Sequence, residues 1–455
     1  MTDHFDIKAP APYAIGDEER AALAAAIDKE ELTELALTLG NIPSPSRHEA
    51  AASKFVYDWL ESEGFDARTC GATPERQNVI GEYGGNGDGA NLLYTAHLDT
   101  ESPTYEPVLD SARYRPETLK NREWLECWLE DGKLYGYPIA NDRGPMSCFL
   151  IAAKALKKSG FDLAGKLYLT ACPGEIGPEP IEERQGVEFL GKDIGAHYLF
   201  HHGGVAPDYA IAAEGCDFGL TWLGCGYAVF RIRLYGQGMF TPILETPENI
   251  LEHPNPIYRL GPILDALHEW GRAYPERHRY ECEGGISIPK TQIDSIKAGI
   301  PHSFGAGTEV VSIYLEAGLT VKQKAADLQH ELTQILRGFD LDGFDIEPMV
   351  VRHGFEADAA EVAPLVAAVD SSTRLTRGHP LERANPVYSS MWRDHNVFNM
   401  HRIPAVTTGM MRWRPTPDDL AESALIYALT ALAICGRAEK QRAGTYKPVY
   451  GDKPF

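Results

Sequence analysis

The stretch NLLYTAHLDTESP, residues 91–103, reads as an apolar β-strand that ends in His97 and Asp99. Side chains two apart on a strand point the same way, so this imidazole and this carboxylate can share one site at the strand's end. A metal-bound imidazole usually gives its other N–H to a carboxylate, which makes His97 a candidate ligand and Asp99 its orienting partner. An H-x-D pair alone is also a common surface or core arrangement, so the flanking chain has to decide.

On both sides of this stretch, short apolar runs alternate with glycine-rich turns and helical patterns. The runs are NVIGEY (78–83), KLYGYP (133–138), KLYLTACP (166–173) and YAIAAEG (209–215), with an amphipathic segment at 145–158. Strands alternating with helices predict an α/β domain with a largely parallel sheet. Upstream, apolar residues recur at helical spacing from Glu18 to Gly64, interrupted by NIPSPSRHE, whose Pro43 and Pro45 cannot continue a helix. Helix, loop, helix is expected there.

After Glu214 the texture changes. GYAVFRIRLYG (226–236) alternates, 257–274 is helix-like, QIDSIKAG (292–299) and VVSIYLEAG (310–318) read as strands, 321–337 is helical, and FDIEPMVVRHG (344–354) is a strand. The order β-α-β-β-α-β is that of a ferredoxin-like split unit inserted at 216–350, which leaves 1–215 and 351–455 as the two parts of one surrounding domain. Helix and strand patterns resume from Ala359 to Ala438.

Three acids join His97 at comparable places. Asp142 lies in a turn just before the amphipathic helix, between Gly136 and Gly144, where a carboxylate can bridge metals. Glu175, in KLYLTACPGEIG, sits just past a strand, and Glu214 ends the next one. Each acid alone would pass for a solvated loop residue. Together, four candidate ligands stand at the carboxyl ends of consecutive strands, where open α/β sheets bind their ligands. Cys172, next to Glu175, is read as a small buried hydrophobe.

At these residues the chain resembles the acetylornithine deacetylase, succinyl-diaminopimelate desuccinylase and glutamate carboxypeptidase family of zinc peptidases. IPSPSRHE (42–49) is similar to that family's N-terminal signature, HLD (97–99) to its first metal motif, and YGYPIAND (135–142) to its bridging-aspartate motif. The inserted unit is similar to its lid or dimerisation domain, and IPAVTTG (403–409) before PTPDDLAESALIYALTAL (415–432) to its C-terminal end. The resemblance implies a zinc-peptidase-like α/β catalytic domain in which His97, Asp142 and Glu214 hold a divalent metal (zinc, manganese or cobalt), with Asp99 behind His97. In relatives a second metal uses the bridging aspartate, the later acid of a Glu-Glu pair and a C-terminal histidine. Here the pair reads Gly174-Glu175, so the position of the usual general base has no side chain. WRPTPDD (413–419) offers Arg414 and Pro415 where the histidine is expected, and GQGMFTP (236–242) lacks the lid histidine.

Candidate substitutes are His395 in SSMWRDHNVFNMHRIP (389–404) and His302 in GIPHSFG (299–305), as further ligands or substrate contacts. The plainer readings are a hydrogen-bonded structural residue for His395 and an exposed turn for His302. Arg393 beside Trp392 pairs a cation with an aromatic surface, which suits an aromatic carboxylate and equally suits a buried Trp with a structural Arg–Asp pair. Glu179, Glu182 and Glu183 follow a proline turn and read as a solvated first helical turn.

With 65 acidic against 43 basic residues, a net charge of −22 disfavours nucleic acid and anionic membranes and points to a small-molecule substrate. The eight cysteines show no C-x-x-C spacing, against a thiolate zinc site or a disulfide framework. MTDHFDIKAPAPYAIGDEER (1–20) lacks the basic start and apolar run of a signal peptide, and no window is long enough to span a membrane, so a cytoplasmic protein is expected. An edge strand in the inserted unit predicts a homodimer.

The expected activity is metal-dependent hydrolysis of a C–N bond in a small molecule, an amide of an N-acyl amino acid or related compound, with metal-activated water and Glu175 as carboxylate base. One alternative is removal of an amino group from an unusual aromatic amine, as in nitroanthranilate aminohydrolase, which resembles this family in fold. Gly174 suggests another: a catalytically dead relative that binds metal and ligand.

Overall fold

Residues 92–97 form a fully buried strand at the centre of a seven-stranded sheet. In chain order its strands are β1 (Asp66–Thr73), β2 (Arg76–Gly84), β3 (Leu92–His97), β4 (Lys166–Cys172), β5 (Tyr209–Ala213), β6 (Leu220–Thr221) and, after the insertion, β11 (Ala405–Thr408), as defined in a computed structural model that describes residues 4, 5, 7, 11–101, 115–302 and 305–438. Outside the described residues lie parts of the 1–20 segment, Ser102 and Pro103 of the first motif, and Ser303 and Phe304 beside His302.

The spatial order is β1-β2-β4-β3-β5-β11-β6, with β4, β3, β5 and β11 parallel and the outer strands antiparallel. The period of two in β3 assigns its faces. Leu92, Tyr94 and Ala96 enter the large apolar cluster shared with the helices, while Leu93 packs on the other face with Tyr168, Cys172, Ala210 and Trp392. A central strand covered on both faces reads as a continuous apolar run, and each leucine so buried contributes roughly 1.5–3 kcal/mol.

The main helices are α1 (Asp17–Ala26), α2 (Lys29–Gly40), α3 (Ala50–Ser62), α4 (Gly144–Lys158), α5 (Ala196–His202), α6 (Leu260–Arg277), α7 (Ala325–Arg337), α8 (Ala359–Arg377), α9 (His395–Met400) and α10 (Pro417–Cys435). The expected first helix is two: Asp28 leaves helical geometry and its carboxylate accepts from the N–H groups of Glu30 and Glu31, starting α2 afresh. Nearly all of α10 is buried between α4 and α8, and Thr416 and Asp419 form its capping box.

KLYGYP is not a strand of the main sheet. Lys133–Tyr135 pairs with Trp128–Glu130 in a separate hairpin whose turn is Asp131-Gly132, both at positive φ. Asp-Gly is the residue pair that such two-residue turns demand, so the sequence itself carries the hairpin signal that corrects the expected sheet strand.

The chain passes between sheets from Thr221 to Gly226. The second sheet holds β7 (Gly226–Tyr235), β8 (Thr291–Ala298), β9 (Val310–Leu319) and β10 (Phe344–Arg352) in the order β8-β9-β7-β10, all antiparallel, with α6 and α7 contributing Ile263, Leu267, Leu328 and Leu332 to a core of its own. This is the ferredoxin-like split unit. No described helix is long and apolar enough to cross a membrane.

Candidate metal centre

His97 ends β3, Asp142 stands in the irregular turn before α4, and Glu214 follows β5; all three are buried. One ligand atom from each lies within 4.8 Å of the other two. His97 Nε2 is 3.2 Å from Asp142 Oδ2 and 4.0 Å from Glu175 Oε2. His97 Nε2 and both Asp142 oxygens make no hydrogen bond. Leaving buried polar atoms unpaired costs ~1–3 kcal/mol each, so this convergence is what a cation-binding site requires. One nitrogen and two carboxylates fit a divalent ion with a position left open.

Burial pushes the His97 pKa down, yet Asp142, Glu175, Asp99 and Glu214 together outweigh it and hold the imidazole proton up to about 9. Burial, then the Glu214 charge, raises the Asp142 pKa well above the carboxylate range. A divalent cation relieves this crowding of acids.

The supporting shell comes from distant segments. Asp99 is fully buried, and its carboxylate accepts from the N–H groups of Glu175 (3.0 Å), Ile176 (2.9 Å) and Gly177 (3.4 Å) and from Ser46 Oγ (2.9 Å). The His97 Nδ1 partner is the Asp99 backbone carbonyl at 2.8 Å. The expected orienting contact is therefore corrected: the carboxylate organises the Glu175 loop while the main chain fixes the ring. A carbonyl acceptor at Nδ1 still leaves Nε2 the lone pair to offer a metal. Arg143, buried beside Asp142, donates to the carbonyls of His97 (3.1 Å) and Leu98 and to Ser44, tying IPSPSRHE behind the HLD strand end.

Gly174 has a reason. Its φ is +76°, and a Cβ there would lie 2.5 Å from the Gly191 carbonyl oxygen and 2.9 Å from Arg76 Nη2. Arg76 is itself buried in a bidentate pair with Glu49, at 2.7 and 3.0 Å, and also holds the carbonyls of Glu188 and Leu190. No side chain fits at 174. Glu175 is the acid this loop presents, 8% exposed where the three ligand candidates are at most 2%.

Arg393 is fully buried, and its Nη1 donates to Glu214 Oε2 at 2.7 Å. Burial lowers its pKa, but the charges of Glu214, Glu175 and Asp142 more than compensate. Trp392, its partner in the expected cation–aromatic pair, packs under the sheet with Val397 and Phe398, so that pair does not face one pocket. His395 stands apart from the cluster: Nδ1 meets Thr407 Oγ1 at 2.7 Å, Nε2 abuts Gly224, and burial holds its pKa down to about 3. His302 lies exposed on the inserted unit. Arg414 pairs with Glu123 at 3.2 Å, and the Pro415 carbonyl accepts from Leu134 N–H, so neither reaches the cluster. Cys172 is buried, as read.

Three more residues lie near the site, of which Asp394 is the acid of the expected Arg–Asp pair and Lys192 and Arg412 carried no sequence signal. Lys192 Nζ donates to the Glu175 carbonyl and lies 5.4 Å from the Trp392 ring. Burial, then the Glu175 charge, raises the Asp394 pKa to about 7. Arg412 Nη1 is 3.9 Å from Glu214 Oε2. Lys192 lies outside every quoted motif, whereas Asp394 is inside SSMWRDHNVFNMHRIP and Arg412 directly precedes WRPTPDD, so only their contacts in the fold distinguish them. Glu179 and Glu182, expected to be solvated, instead dock the 178–193 loop on the second sheet. Glu182 receives Arg231 (2.7 Å), Lys297 (3.2 Å) and Tyr314, and Glu179 receives Tyr227 and Arg352 (2.9 Å).

No family model matches the chain. It is 24% identical over 255 residues to the succinyl-diaminopimelate desuccinylase of Legionella pneumophila (strain Lens), covering 54% of this chain and 59% of the relative. It is 26% identical over 156 residues to the N-formyl-4-amino-5-aminomethyl-2-methylpyrimidine deformylase of Bacillus subtilis (strain 168), 32% and 33% of the two chains. The chain thus spans little more than half the length of the first and a third of the second. The solved structure of a dinuclear metal-binding peptidase of the M20 family from Bacillus subtilis superposes with a TM-score of 0.58 at 14% identity, over 90% of this chain and 99% of the other.

Proposed function

We propose that the chain, similar in sequence to a succinyl-diaminopimelate desuccinylase and in fold to an M20 metallopeptidase, hydrolyses a C–N bond in a small molecule, the amide of an N-acyl amino acid or a related compound, at a single-metal centre. The observation that carries this reading is the convergence of the unpartnered His97 Nε2 and Asp142 oxygens with Glu214 at a buried strand end. In this reading His97, Asp142 and Glu214 hold the ion, zinc, manganese or cobalt. When bound, such an ion polarises the scissile carbonyl and acidifies water.

The remaining work falls to the chain. Glu175, the most exposed of the inner acids, accepts a proton from the attacking water and returns it to the leaving nitrogen. Asp99 holds the Glu175 backbone, and Lys192 grips the same residue's carbonyl. Among the described residues a second ion would find Asp142 and Glu175 but not His395, which faces Gly224, and two protein ligands are too few for a tight zinc site. Arg393 supplies a fixed positive charge to the same acids. Residues 1–215 and 351–455 carry this chemistry, while 216–350 serves as lid and as the contact for a homodimer.

The test is incubation of the metal-loaded protein with a panel of N-acyl amino acids and aryl amines, assaying free amine and ammonia with and without a chelator. Chelator-sensitive release of a free amine from an N-acyl substrate is expected. Ammonia released from aryl amines alone would replace amide hydrolysis with deamination, and no chelator-sensitive release from any compound would favour a binding protein.

A further inference from the structure

A cavity of about 210 Å³ adjoins the metal centre, walled by Trp124, Tyr137 and Trp413 and lined further by Thr100, Asn141 and Arg412. Three of these residues come from the segments that build the cluster: Thr100 follows Asp99, Asn141 precedes Asp142, and Arg412 approaches Glu214. The candidate ligands do not themselves line the cavity, but Arg412 bridges the two, lining the cavity and lying 3.9 Å from Glu214 Oε2.

The walls are aromatic. Trp124 and Tyr137 have ring centroids 4.3 Å apart, and Trp413 meets Tyr137 edge-on at 5.9 Å and 86°. Trp413 is 56% exposed, so its indole gains little from burial in the free protein. An apolar cavity of ~150 Å³ takes a benzene ring, so this one has room for a single substituted ring.

Charge narrows the class further. Arg412 lies 5.6 Å from the Trp413 ring centroid, and its guanidinium nitrogens reach the Gly215 carbonyl (3.2 Å) and Asn141 Oδ1 (3.5 Å) at long distances. On the cavity's inner side Arg412 Nη1 stands 3.9 Å from Glu214 Oε2, an oxygen that already accepts from Arg393, so Arg412 is not fully neutralised there and can offer its charge to an anion in the cavity. Among the described residues the one acid lining the cavity, Glu101, is exposed, so solvent screens it.

We propose that this cavity is the subsite for a single aromatic ring bearing a carboxylate, so that the substrates are amides in which the acyl or the amine half carries an aromatic ring with a further, free carboxylate. The proposal rests on the metal-centre reading for what happens to the bound compound, but ring binding itself does not need it. Aromatic stacking and the Arg412 charge select the ring, while Asn141 and Thr100 set it against the cluster.

The experiment is titration of the full-length, metal-loaded protein with benzoate, cyclohexanecarboxylate and benzylamine, followed by tryptophan emission and calorimetry. Wild type, Trp413→Ala and Tyr137→Leu are compared, with metal content measured on every sample. Benzoate is expected to bind about tenfold tighter than either other probe, and each substitution to cost about tenfold with metal content unchanged. Equal affinity for benzoate and cyclohexanecarboxylate, or benzoate binding unmoved by both substitutions, overturns the proposal. Selective benzoate binding in a wild type that retains no metal would sink the metal-centre reading and leave the subsite standing.

Discussion

Asp99 meets His97 with its main chain: Nδ1 is 2.8 Å from the Asp99 carbonyl oxygen and 3.5 Å from the nearer carboxylate oxygen. The carboxylate is instead occupied by three backbone N–H groups of the Glu175 loop. Asp99→Asn should therefore leave metal retention close to wild type while turnover falls about 10- to 100-fold, because an amide presents N–H to N–H in that loop. Metal analysis and kcat on the same preparation check this. Loss of metal with the substitution would return the orienting role to the carboxylate.

Glu175 is the acid that should matter for rate and not for retention. Exhaustive dialysis is expected to leave about one metal per chain in both wild type and Glu175→Gln, with turnover lower by ~100-fold or more in the variant. Two tightly held metals in the wild type, one lost in Glu175→Gln, would refute the single-metal arrangement.

Restoring the acid that relatives carry one position earlier should fail. Gly174→Ala forces a Cβ against the Gly191 carbonyl from a left-handed backbone, and is expected to cost about 2–4 kcal/mol in urea denaturation. Gly174→Glu should be no more active than wild type. A gain in rate would show that the 174–191 contact yields.

The contact between the 178–193 loop and the second sheet should be acid-sensitive. Hydrogen bonds from Tyr314 and Arg231 hold the Glu182 pKa down to about 2, below the ~4.3 of an unfolded chain. A depressed pKa gives stability that is present above the unfolded value and lost as pH falls towards the folded one. Glu182→Gln should cost roughly 1 kcal/mol at neutral pH, solvent screening part of the pairing. The gap from wild type should hold from pH 7 to about 5 and narrow below about 4. Thermal melts of both proteins across that range test it, and a gap that widens in acid would contradict it.

Strand β8 is an edge whose residues 294–298 are all exposed, Ile296 among them at 41%. Unpaired edges of this kind are normally paired or covered. Light scattering at micromolar concentration should give a dimer, with Ile296→Lys shifting it towards monomer. A wild-type monomer of 50.2 kDa with full activity would count against the lid contact.

The sequence by itself determined the inserted sheet, the parallel centre of the main sheet and the strand ends that carry His97, Glu175 and Glu214, because apolar period and turn residues act within a few positions of the chain. The outer strands Asp66–Thr73 and Leu220–Thr221 and the three antiparallel pairings of the main sheet were not legible. Even the misread KLYGYP hairpin was written locally, in Asp131-Gly132. Tertiary structure alone decided which atoms meet: the Asp99 carbonyl on His97, Arg393 on Glu214 from 179 positions away, His395 turned to Gly224, Glu182 docked on the second sheet, and Trp124, Tyr137 and Trp413 gathered around one cavity. Such contacts depend on rotamers and on the packing of segments distant in sequence. A residue type and its spacing fix which strand end a side chain occupies; which neighbour its polar atoms find depends on what the rest of the fold brings beside it.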